Sequence, residues 1–259
     1  VLQITAAALV CLTFIATFMS VRSYQAEQIA KQKRQEAESL LGFMVGEFAD
    51  KLRSVRRMDL LDGISNKALE YFANQKADAS FWNFLRSEQT FKQEFQYIQT
   101  LMAMGEVAYY RGRLDEAEKA FESANNLLNP LVTEYGSRME VLKTKGANSF
   151  WLGQIAYDQQ NYKVARPFFE EYKVTSGKMY KINPKSKDAI TEMSDSSSTL
   201  GALYLKLQEY KRAKNAFQES IKFIDLGLSE QPKNEYLLMT KAETGTWIAN
   251  VEEHLGFPD

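Results

Sequence analysis

The sequence predicts an all-α chain, with an N-terminal transmembrane helix followed by an α-solenoid of antiparallel helix pairs. Three observations carry this expectation. The chain repeats itself in one fixed register, residues 1–21 carry no charge, and its five prolines and thirteen glycines leave long stretches without the alternation of a strand. Lys and Arg total 32 against 33 for Asp and Glu. That balance advertises neither a nucleic acid nor an acidic partner for this segment.

Residues 1–21 run from Val1 to Val21 through Leu, Ile, Phe, Ala and Met, interrupted only by uncharged polar residues. About 20 such residues span a bilayer, and a soluble buried helix rarely stays apolar on every face. The single cysteine, Cys11, lies inside this stretch, so the chain supports neither an internal disulfide nor a cysteine metal cluster. Arg22, Lys31, Lys33 and Arg34 follow the span and favour a cytoplasmic side for what comes after.

Residues 22–57 read as an amphipathic juxtamembrane helix, with apolar positions at Ala37, Leu41, Met44, Phe48, Leu52 and Val55. This helix either packs on the first repeat or pairs with its copy in a neighbouring chain as a short coiled coil. Residues 58–87 read as capping helices. Asp59 to Gly63 forms a turn, and a short helix from Ile64 to Asn74 presents Ala68 and Phe72.

Residues 88–259 hold the repeats, three complete and a fourth begun. Gly105, Gly153 and Gly201 recur at one constant interval, and Ala117, Ala165 and Ala213 and then Phe121, Phe169 and Phe217 keep the same register. A glycine on one helix and an alanine on the next let two backbones approach, and the phenylalanine one turn later fills the seam. The fourth unit places Ile248 and Ala249 at the Leu-Gly position and Gly256 opposite Gly112.

Met104-Gly105, Ala117, Phe121 and Ala124 resemble the tetratricopeptide repeat, over Leu101 to about Leu228. The period of 48 against the usual 34 implies helices of roughly 20 residues, and Tyr172 and Ser220 stand where a small alanine is usual. The runs Ala37 to Met44, Leu52 to Phe72, Ser149 to Gly153 and Ser198 to Leu203 are together similar to bacterial membrane-anchored repeat proteins. In that family a variable cytoplasmic signalling domain, such as a kinase, a winged-helix DNA binder or a Toll/interleukin-receptor-like domain, precedes a single span. The resemblance implies a single-pass protein of the bacterial inner membrane with its repeats in the periplasm, and large domains cross largely regardless of flanking charge.

No catalytic constellation stands out. His254 has no second imidazole or thiol nearby, and the carboxylate pairs Asp115-Glu116 and Glu170-Glu171 read as helix N-terminal charges. No metal, cofactor or enzymatic activity is expected. In the tetratricopeptide architecture the first helices line a concave groove. Its positions fall at Gln99, Met102, Glu106 and Tyr109, then at Phe150, Gln154, Tyr157 and Asp158. The third unit adds Asp195, Ser198, Ala202 and Leu205, and the fourth Thr246, Asn250 and Glu253. The groove lacks the lysines and arginines of repeats that clamp a peptide carboxylate. Its aromatic residues suit a protein or peptide ligand with apolar anchors, or else pack between the long helices. The partners expected are therefore a protein or peptide, the lipid bilayer, and a second copy if the repeats serve only to form a homo-oligomer.

Overall fold

The computed structural model describes residues 17, 19–29, 32–33, 63 and 88–256. Residues 17, 19–29 and 32–33 are helical. The rest of the expected span and most of the juxtamembrane and capping segments lie outside the described residues. Gly63, expected to close a turn, has helical backbone instead. A glycine inside a helix costs only about 1 kcal/mol, which context readily overrides. Among the described residues no helix is long and apolar enough to cross a membrane.

From residue 88 onward the described chain is all helix. Its elements are α1 (Glu88–Tyr110), α2 (Leu114–Tyr135), α3 (Met139–Asp158), α4 (Tyr162–Ile182), α5 (Lys187–Lys206), α6 (Tyr210–Glu230) and α7 (Glu235–Leu255). Each contains 20 to 23 residues. Each helix packs on the next, so α1–α2, α3–α4 and α5–α6 form antiparallel pairs, with α7 following. First helices also touch the first helices of adjacent units, which puts α1, α3, α5 and α7 in one row.

The turn inside each pair is a repeated backbone motif. Gly112, Gln160 and Gln208 adopt left-handed φ of 74°, 59° and 60°, and Gly256 follows at 79° in the same register. The next amide reaches back five residues at each turn: Arg113 to Ala108, Asn161 to Ala156 and Glu209 to Tyr204, at 2.8–2.9 Å. This Schellman arrangement satisfies carbonyls that a helix end leaves free. Glycine takes the conformation without strain, whereas the two glutamines hold it at a cost of about 1–2 kcal/mol each.

The atoms nearest each repeated glycine belong to the phenylalanine of its own unit. A methyl group on Gly105, Gly153 or Gly201 would first meet the ring of Phe121, Phe169 or Phe217, at 2.5–2.6 Å. The glycine therefore makes room for an aromatic ring from its own partner helix. Ala117, Ala165 and Ala213 are fully buried, as are the three phenylalanines to within 1%. The phenylalanine thus fills the space within a pair rather than only the seam between pairs.

One turn further along, the departures from the repeat compensate one another. The first unit sets Ile98 and Ala124 at equivalent buried positions. The second has Gly146 against Tyr172, whose Cδ2 would lie 3.1 Å from an added methyl. The third has Ser194 and Ser220, whose hydroxyls lie 3.2 Å apart. Large-small, small-large and hydrogen-bonded small-small residues thus occupy the equivalent buried positions in turn.

Between units the contact is partly polar. Lys145 on α3 is buried, and its Nζ donates to Asn125 Oδ1 (2.6 Å) and Asn129 Oδ1 (2.9 Å) on α2. It also pairs with Glu171 on α4 at 2.9 Å. One repeat later Lys173 donates to Ser197 (2.5 Å) and pairs with Glu219 (3.0 Å), and Lys241 pairs with Asp225 (2.6 Å). Glu170 and Glu171 therefore sit in the middle of α4, not at its N-terminus as the sequence suggested. Glu171 serves this network instead, because α4 already begins at Tyr162.

Candidate binding groove

The inner row closes at one interface and opens at the next, and one position decides which. Trp151 on α3 lies parallel to Phe121 of the preceding unit, with ring centroids 5.8 Å apart and planes 5° from parallel. Trp247 on α7 repeats the arrangement over Phe217 at 6.4 Å and 8°. At the equivalent site on α5 stands Thr199, with its hydroxyl turned back to the Asp195 carbonyl at 2.8 Å. With no indole there, a cleft of about 230 Å³ opens between α3, α5 and α7 beside Phe169.

Gln154, Tyr157, Ser198 and Ala202 line this cleft together with Phe169, Thr199, Glu243 and Trp247. Four of the expected groove residues are thus brought to one place. A second cavity of about 230 Å³ adjoins it, formed by Glu243, Thr246, Trp247 and Asn250. Trp247, 41% exposed, stands between the two. Glu243, Trp247 and Thr199 were absent from the expected set. The 48-residue register that links Trp151, Thr199 and Trp247 was the signal that could have found them.

The remaining expected residues are placed otherwise. Met102 and Glu106 are only 6% and 8% exposed, so neither offers a binding surface. Met102 belongs to the buried cluster of α1, α2 and α3, against which Trp151 of the next unit packs through Tyr109, Tyr110 and Phe121. Gln99 is half-buried on α1, away from the cleft. Tyr109 packs on Trp151 and donates its hydroxyl to Asp158 Oδ2, while Gln154 Nε2 donates to Asp158 Oδ1 at 2.8 Å. Burial first, then Asp158, pushes the Tyr109 phenol up to about 12. Phe150 lies among Trp151, Phe169 and Tyr172, and Tyr157 against Tyr162 and Phe169. Tyr109 and Phe150 pack between helices, whereas Tyr157 both packs on Phe169 and borders the cleft. Leu205 is half-buried in the core around Phe217, and Glu253 is exposed near the end of α7.

A row of carboxylates follows the N-terminal half of α5. Asp188 pairs with Lys143 at 2.8 Å, Glu192 accepts from the Tyr172 hydroxyl at 2.6 Å, and Asp195 accepts from the Tyr236 hydroxyl at 2.9 Å. Burial pushes the Asp195 carboxyl up to about 7 against the opposing pull of the Tyr236 hydrogen bond, and Glu192 is raised by burial as well. A folded-state value above the unfolded one means that the native state holds its proton more tightly. The stability from this source is complete below about pH 4 and is lost as pH rises through about 7. Asp195→Asn should therefore stabilise the protein at pH 8, on the order of 2–4 kcal/mol, and flatten the dependence between pH 4 and 7. Urea denaturation of both forms at pH 5 and pH 8 checks this, and an equal difference at the two values would remove the assignment.

Among the described residues no group of His, Cys, Asp or Glu is disposed to hold a metal ion. His254 stacks on Tyr210 at 4.7 Å.

Stacked antiparallel helix pairs with an inner row of first helices define a helical-repeat solenoid of the tetratricopeptide type, the architecture of non-catalytic protein-interaction modules. Residues 195–224, from the middle of α5 into α6, match the tetratricopeptide repeat family. The fold is similar to the crystal structure of BtubC (BKLC) from P. vanneervenii, with a TM-score of 0.59. That similarity covers 90% of this chain and 80% of that one at 16% identity, a level that shows shared fold. No curated protein sequence matches the chain.

Proposed function

We propose that the protein is a membrane-anchored interaction or sensor module that binds a protein or peptide segment along the inner face of its repeats. The observation that carries this reading is the opening at Thr199. At the two flanking interfaces among the described residues a tryptophan lies over the preceding unit's phenylalanine, and here side-chain-sized space is left, lined by polar and aromatic groups. An extended segment would lie across α3, α5 and α7, with side chains in the two cavities either side of Trp247.

Two further parts of the proposal rest on the sequence. The uncharged stretch from Val1 to Val21 would anchor the chain in a bacterial inner membrane, with the repeats in the periplasm and ligand binding relayed to a cytoplasmic domain. Deleting residues 1–21 should then move the protein from the membrane to the soluble fraction. A competing reading, an oligomerisation scaffold without a ligand, is favoured by Leu238 and Met239, which stand 47% and 64% exposed on α7.

Ala202→Trp tests the groove, because an indole there would occupy the cleft. Selection from a displayed random-peptide library should yield a consensus on the native chain, and this variant should lose it with its melting temperature retained. A consensus that survives the substitution would place binding elsewhere. Concentration-dependent sedimentation without any peptide would instead support the scaffold.

A further inference from the structure

We infer that the segment bound in this groove is basic, and that the cleft between α3, α5 and α7 receives a lysine or arginine side chain whose charge is met by Glu243. The inference rests on the groove reading above and adds the chemistry of the partner.

Glu243 is exposed, lines both cavities, and makes no hydrogen bond or ion pair among the described residues. No lysine or arginine lines either cavity. Lys241, on the same helix as Glu243, is held by Asp225, and Lys206, one turn beyond Ala202 on α5, lies outside the lining of both cavities. A carboxylate without a counter-charge beside an open cleft is complementary to an incoming cation.

The other walls suit the same guest. Trp247 presents a partly exposed indole at the boundary of the cleft, and a guanidinium or ammonium over such a ring gains a cation–π attraction. Ser198 leaves its hydroxyl without a partner among the described residues. Gln154, which also lines the space, commits its Nε2 to Asp158 and has a carbonyl oxygen left to accept. Tyr157 and Ala202 supply apolar surface for a methylene stem. The cleft thus offers acceptors and a π face. The surrounding field has the same sign, because Asp158 lies on α3 of the same inner row and makes no ion pair among the described residues.

The test uses the full chain in a non-ionic detergent with three fluorescein-labelled ten-residue peptides, in which serine alternates with lysine, glutamate or leucine. Fluorescence anisotropy reads the affinity. The lysine peptide should bind and the glutamate peptide should not. Glu243→Gln should weaken the lysine peptide at least tenfold, and Ser198→Ala a few-fold. Glu122→Gln, which removes an exposed charge on α2, should change it less than twofold. Equal losses in Glu243→Gln and Glu122→Gln would reduce the effect to diffuse charge and overturn the assignment. Should the leucine peptide bind and be blocked by Ala202→Trp while Glu243→Gln has no effect, the groove stands and the cation site falls. Binding of every peptide unchanged by Ala202→Trp would overturn the groove itself. Unfolding curves of each variant confirm that the exposed substitutions leave the fold in place.

Discussion

Replacing Phe169 by alanine should cost about 3–5 kcal/mol of folding free energy, the range for deleting a fully buried aromatic side chain. Phe169 is 1% exposed and packs with Phe150 and Tyr157. Its ring also fills the notch left by Gly153, where a methyl group would come within 2.5 Å of Cδ1 and Cε1. Gly153→Ala alone should therefore cost roughly 1–3 kcal/mol by overpacking. In the double variant with Phe169→Leu the two effects should fall well short of additivity, because the smaller side chain vacates the space that the methyl needs. Urea denaturation followed by circular dichroism measures all three. Strict additivity, or coupling of Gly153 to Ala165 instead, would show that the glycine faces the alanine after all.

Lys145→Met should be the second large effect, a loss of roughly 2–4 kcal/mol. The side chain is 4% exposed and holds together three helices through Asn125, Asn129 and Glu171. Methionine would fill the stem's volume but leave the Asn125 carbonyl and the Glu171 carboxylate without their cation in a half-buried seam. Glu171 would retain the Ser149 hydroxyl at 2.6 Å, which keeps the loss below that of a fully buried pair. Lys143→Met is the internal control. Its pair with Asp188 is exposed at both ends, 49% and 61%, and should contribute no more than about 0–1 kcal/mol. Equal losses in the two variants would mean that burial does not set the value of these lysines.

The sequence by itself determined the helical repeat and its period. A glycine, an alanine and a phenylalanine recurring in one register report on packing between neighbours in the chain, where each contact joins one helix to the next. The unusual length of the helices follows from the same period, and residues 195–224 match the tetratricopeptide repeat. Glycine's freedom at Gly112 and Gly256 was also legible as register, although the glutamines at 160 and 208 hide the same turn.

What only the tertiary structure decided is which members of the repeat face each other and which face open space. Periodicity places Gly153 near the crossing of two helices, but the rotation of those helices sets Phe169 rather than Ala165 against it. The expected groove assumed that equivalent positions are equally exposed, and a solenoid does not guarantee that. Met102 and Glu106 are buried in the unit on which Trp151 packs, while Gln154 and Ala202, in the register of Glu106, line a cleft where Thr199 stands in place of that tryptophan. Exposure along the inner face therefore depends on one side chain in the neighbouring unit. That is a property of contact between whole repeats, which a pattern read within one helix does not contain.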